Sequence, residues 1–165
     1  MAENKEWMKQ IFQIVMVVEN VDQTIENWKR MVEFDEASIE VAETSPSMKC
    51  RYKGEEISCP TRYATFDLGG VQMKVVEPLN KQAGNPYSDA LIQSGPGIHH
   101  IGFCAEDYDT LLQKYRDGGK TPVYEEIDGE NHYLLYDFSE KTGFRVAPWN
   151  HMEGPCARGE QKVRI

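Results

Sequence analysis

The feature that most constrains this chain is that it matches itself. Residues 13–22 (Gln-Ile-Val-Met-Val-Val-Glu-Asn-Val-Asp) lie over residues 100–109 (His-Ile-Gly-Phe-Cys-Ala-Glu-Asp-Tyr-Asp) without a gap, at a constant offset of 87. Each copy reads as a short apolar strand, an acidic turn and an amphipathic helix. In the first helix Val21, Ile25, Trp28 and Val32 fall on one face; in the second Tyr108, Leu111, Leu112 and Tyr115 do the same. Trp28 and Tyr115 occupy equivalent places and are expected in the core. Asp22 and Asp109 stand near the helix starts, where a carboxylate suits the positive end of the dipole, and Gly118-Gly119 marks a helix stop.

Beyond each helix the period changes to two. Strands are expected at 37–43, 49–53, 62–68 and 71–77, then at 121–127, 133–138 and 144–149. Gly69-Gly70 is a hairpin signal, and Asp128-Gly129 a turn. The chain therefore reads as an α+β unit of two tandem βαβββ modules. Module one covers about 10–78, a linker 79–96, module two about 97–149, and a tail 150–165, with a helical turn expected over 88–93.

At 165 residues the chain has the length of one domain. Its formal net charge of -9 argues against nucleic acid and anionic membranes as partners. No apolar stretch approaches a membrane span, and the first residues lack a secretory pattern. A cytoplasmic location is expected. Cys50, Cys59, Cys104 and Cys156 show no CxxC pair and are read as reduced thiols, disulfides being the alternative.

Two segments add a resemblance. Residues 75–80 (Val-Val-Glu-Pro-Leu-Asn) and 97–103 (Gly-Ile-His-His-Ile-Gly-Phe) are similar to segments of methylmalonyl-CoA epimerases. The whole pattern over about 10–149 resembles the glyoxalase/bleomycin resistance/extradiol dioxygenase (vicinal oxygen chelate) superfamily, which includes lactoylglutathione lyase. The resemblance implies curled mixed sheets around a U-shaped cavity, with four metal ligands from the first and last strands of the modules. Those positions fall on Gln13, Lys74, His100 and Ala147.

Only two of the four can ligate. An ammonium has no lone pair and alanine offers nothing, while a divalent site normally takes three or four protein ligands. No cofactor is expected; a divalent cation, if held, would bind through His100 and Gln13. Alternation puts Glu77 and His99 on the opposite strand faces.

Period two nominates the rest of the cavity. Gln72 shares a face with Lys74, the hairpin pairs Asp67 with Gln72 and brings in Tyr63, and Arg145 shares a face with Ala147. Lys74 and Arg145 together suit a carboxylate, phosphate or enolate. Lys74 and His100 are the candidate catalytic pair: the ammonium stabilises an oxyanion while His100 acts as acid and base. A desolvated Lys74 could instead form a Schiff base. Lys74 bridging to Asp67, with His100 a satisfied core histidine, is the structural alternative. His132 and His151 are read as surface residues.

The resemblance implies an isomerase or lyase that moves a proton next to a carbonyl of a small anionic substrate, a carboxylate or acyl-thioester. The alternative is a non-catalytic binding protein of the bleomycin-resistance type. A homodimer is compatible with either.

Overall fold

The structure is a computed structural model and describes residues 8–45, 47–128 and 131–150. Its strands are β1 (Met8–Val17), β2 (Glu40–Glu43), β3 (Lys49–Tyr52), β4 (Glu55–Ile57), β5 (Thr61–Leu68), β6 (Val71–Pro78), β7 (Gly97–Ala105), β8 (Tyr124–Asp128), β9 (Asn131–Asp137) and β10 (Arg145–Asn150). Its helices are α1 (Val21–Met31), α2 (Pro86–Ser94), α3 (Tyr108–Asp117) and the short α4 (Ser139–Thr142). The strands form one curled mixed sheet in the order β2-β5-β6-β1-β7-β10-β9-β8-β3-β4.

The expected repeat is present in the backbone. Each module is a four-stranded unit, and β1 and β7, its two first strands, pair antiparallel at the centre. The helix caps repeat as well: the side chain of Asn20 accepts from Gln23 N and that of Asp107 from Thr110 N, again 87 residues apart. These caps lie two residues ahead of the carboxylates singled out in the sequence. On the convex side Val21 and Ile25 of α1 pack with Phe66, Met73 and Val75. Leu111, Leu112 and Tyr115 of α3 pack with Leu134, Tyr136 and Val146 in the same way. Each fully buried aliphatic side chain of this kind contributes about 2 kcal/mol.

The hairpin of β5 and β6 has the expected register, Thr65 opposite Lys74 and Asp67 opposite Gln72. Gly69 (φ 58) and Gly70 (φ 88) take left-handed turn conformations that a side chain would resist.

Three features depart from expectation. The β3–β4 hairpin leaves its own module and pairs with β8 of the other, Cys50 opposite Glu126. The linker contains a nine-residue helix, α2, rather than a single turn; Asn85 caps it and Pro86 fits its first turn. Tyr87 and Leu91 of that helix are buried on the concave side with Val15, Val76 and Tyr124. Finally, Cys50 and Cys59 are free and buried, but Cys104 is disulfide-bonded, which corrects the reading of all four cysteines as thiols. The expected tail, His151 and the side chain of His132 lie outside the described residues. Among the described residues no helix is long and apolar enough to cross a membrane.

Candidate functional site

Two of the three bulges in the central strand pair set the concave face. Along β1, Ile11 pairs with Phe103 and Gln13 with Gly102, so Phe12 is an extra residue; along β7, Val15 pairs with His100 and Met16 with Ile98, so His99 is the extra one. The two bulges are themselves 87 residues apart. A bulge breaks the alternation of side chains. Phe12 and Gln13 are therefore both buried, at 9% and 4% exposure, and so are His99 and His100, at 4% and 0%. The expectation that His99 faces away from His100 is overturned for this reason. Glu77 does face away, and its carboxylate accepts from Val21 N at the start of α1.

His99 and His100 touch through their Nδ1 atoms, 2.8 Å apart. His99 Nε2 lies 3.1 Å from the carbonyl oxygen of Pro86, and His100 Nε2 meets the hydroxyl of Tyr133. Burial, and next the charge of Arg145, hold His99 down to about 4. Burial, then His99, Lys74 and Arg145, hold His100 well below its ordinary value. Both rings are neutral at pH 7, and the chain has one direction. A carbonyl can only accept, so His99 carries its proton on Nε2 and accepts at Nδ1. His100 must then donate from Nδ1 and accept the Tyr133 proton at Nε2. Both ring nitrogens of His100 are thus engaged, and its influence reaches the concave face through the Tyr133 oxygen.

Lys74 lies in the same cross-strand row, Lys74–Val15–His100–Arg145. Its Nζ stands 4.4 Å from the centroid of the Tyr63 ring. Burial lowers its pKa, against the opposing charge of Glu126. Glu126 projects from β8 and accepts from the Tyr124 hydroxyl at 2.7 Å. One row over, Gln13 donates from Nε2 to Gln72 Oε1 at 2.6 Å. Ala147 is fully buried beside Gly102.

Lys74 and Arg145 both act on His100, but the cleft that Arg145 lines does not include Lys74. Arg145 opens onto a cleft of about 410 Å³ beside α2, lined also by Tyr52, Lys53, Asp89, His99 and Asp137. It pairs with Asp137 at 3.4 Å and donates to the His99 carbonyl at 3.4 Å. Asp67, opposite Gln72, donates its backbone N–H to Ser38 Oγ at 2.9 Å.

As metal donors the four equivalent positions fit poorly: one imidazole with both nitrogens engaged, one amide, one ammonium and one methyl. Among the described residues no group of three or more His, Cys, Asp or Glu side chains could hold an ion.

Sequence reasoning missed Glu126, Tyr133 and His99. The first two were recoverable, since the hairpin at Asp128 pairs Asp128 with Asn131 and thereby Glu126 with Tyr133. His99 was not, because nothing in its neighbours announces a bulge.

A family model described as glyoxalase/bleomycin resistance protein/dioxygenase superfamily matches residues 12–136. None of the curated proteins compared matches the sequence. Among solved structures, the chain is similar to a Streptomyces coelicolor methylmalonyl-CoA epimerase in complex with 2-nitronate-propionyl-CoA. That match has 18% identity and a TM-score of 0.59, and covers 86% of this chain and 96% of the other. The methylmalonyl-CoA epimerase of Mycobacterium tuberculosis matches at 17% identity and TM-score 0.59, covering 84% and 85%. A hypothetical protein of Bacillus halodurans matches at 16% and 0.63, covering 88% and 96%.

Proposed function

Since this chain belongs to the glyoxalase/bleomycin resistance protein/dioxygenase superfamily, we propose that its concave face binds a small anionic carbonyl compound and moves a proton next to that carbonyl. The outcome is an isomerase or lyase reaction. The observation that carries the reading is Lys74: a half-buried ammonium against Tyr63, with no ion pair among the described residues, at a position where the family places a metal ligand.

A cation there stabilises the oxyanion that develops when a proton leaves the neighbouring carbon, the work a metal ion would otherwise do. Glu126 is the carboxylate on the same face suited to take that proton. Tyr133, fixed by His100, offers its hydroxyl oxygen to the ligand; in this reading His99 and His100 are positioning residues. The donor set argues for a reaction without a resident divalent ion. The structural neighbours with acyl-CoA ligands make a carboxylate or acyl-thioester a fitting probe.

The test is ligand binding. A small carboxylate found by thermal shift should lose roughly ten- to a hundred-fold in affinity in Lys74→Met, about 1.5–3 kcal/mol for a charge-assisted contact. Lys29→Met, on the outer face of α1, should leave it unchanged. Equal affinity in parent and Lys74→Met would reject the reading.

A further inference from the structure

Lys74 is met by an aromatic ring, not by a carboxylate. Its Nζ lies over Tyr63, its strand neighbours Val15 and Val76 are fully buried, and among the described residues it has neither an ion pair nor a hydrogen bond. Burial accordingly favours its neutral, nucleophilic form, against the charge of Glu126.

A second observation marks this part of the face as built for a ligand. Among the described residues, Gln13 Oε1 and Trp149 Nε1 are buried without a hydrogen-bond partner. Both side chains border Gly102, where a Cβ would lie 3.1 Å from Gln13 Cβ and 3.5 Å from Trp149 Nε1. An unused acceptor and an unused donor around a residue with no side chain suit a hydroxyl group, which can accept from one and donate to the other.

The geometry points to Lys74 as a covalent nucleophile that forms an imine with a small aldehyde or 2-oxo acid. This rests on the reading of the concave face as a carbonyl site and narrows it. The neutral amine attacks the carbonyl carbon; a C–N bond forms and the carbonyl oxygen takes a proton. That oxygen then leaves as water, so amine plus carbonyl gives imine plus water and no oxidant or reductant is needed. The protonated imine draws electrons from the adjacent carbon, whose proton passes to the Glu126 carboxylate and can return on the other face. With an acyl-thioester the same amine would expel the thiol and end as an inert amide. The imine step therefore fits aldehydes and oxo acids, while a thioester could only bind beside Lys74 without forming it.

The whole chain is incubated with glyoxylate or pyruvate and cyanoborohydride, and adducts are located by intact mass and peptide mapping. One adduct per chain is expected at Lys74, forming at least tenfold faster than at the exposed Lys81. It should disappear in Lys74→Met and Lys74→Arg and persist in Lys81→Met. Adducts spread over surface lysines with Lys74 unmodified would overturn the proposal. If glyoxylate stabilises parent and Lys74→Arg equally with no trapping, the imine falls and the cation reading stands. If Lys74 is trapped yet the methyl protons of pyruvate do not exchange in D2O, the imine stands and the proton-transfer reading falls.

Discussion

The two modules share a backbone and differ in what they do with it. Both place a bulge at the same point of the first strand, and both put two side chains on the concave face there. In module one these are Phe12 and Gln13, and the last strand adds Gln72 and Lys74. In module two they are His99 and His100, and the last strand adds Arg145 and Ala147. In module two the histidines satisfy each other, Tyr133 and the Pro86 carbonyl, and the arginine pairs with Asp137, while among the described residues Trp149 Nε1 is left unpaired. Among the described residues, module one keeps an ammonium set against an aromatic ring without an ion pair, and a buried amide oxygen without a partner. The two modules repeat one scaffold, and among the described residues the polar groups left unsatisfied lie mostly on module one. Unsatisfied groups are where a ligand gains most, because it removes a cost already present in the folded protein.

The largest effect that would sharpen this contrast is acid sensitivity confined to module two. His99 titrates at about 4 in the fold against 6.5 when free. Between those values the unfolded chain binds the extra proton, so stability must fall as pH drops from 6.5 toward 4. The shift corresponds to about 3 kcal/mol, with His100 acting in the same direction. Urea titrations at stepped pH should show that slope in the parent and a shallower one in His99→Gln. Phe12, the equivalent residue, cannot titrate, so a slope unchanged in His99→Gln would break the assignment.

Next in size, Lys74→Met should raise stability by about 1–3 kcal/mol, since an apolar chain of similar length replaces a desolvated cation that has no ion pair among the described residues. Stability bought at the expense of ligand binding is the signature of a functional group. A destabilised Lys74→Met would mean that the amine is structural. Smallest are the helix caps: Asn20→Ala and Asp107→Ala should each cost about 1 kcal/mol and differ by less than about 0.5 kcal/mol. A large difference in chemical denaturation would show that the modules are energetically unequal in their shared frame too.

Periodicity made the modules, helix faces and β5–β6 register legible, because each depends on local pattern alone. The gapless offset carried the strand equivalences and so the positions Gln13, Lys74, His100 and Ala147. Three things were hidden. The bulge that turns His99 inward shifts the count of a strand without any glycine to signal it. The β3–β4 hairpin pairs with β8 across more than seventy residues, a contact no local pattern contains. Arg145 was assigned to its face, but the partner that occupies it, Asp137, lies on the neighbouring strand β9, opposite it across the β9–β10 pair.

The central claim, that Lys74 is a desolvated amine without an ion pair among the described residues, is tested most directly by its own titration. The chain is labelled with 13C at the lysine ε-carbons, and the Lys74 resonance is assigned by its loss in Lys74→Met. Its chemical shift is then followed with pH. The account predicts a midpoint below the ordinary 10.5 that moves when glyoxylate is added. A Lys74 midpoint at or above 10.5, unmoved by glyoxylate, would contradict it.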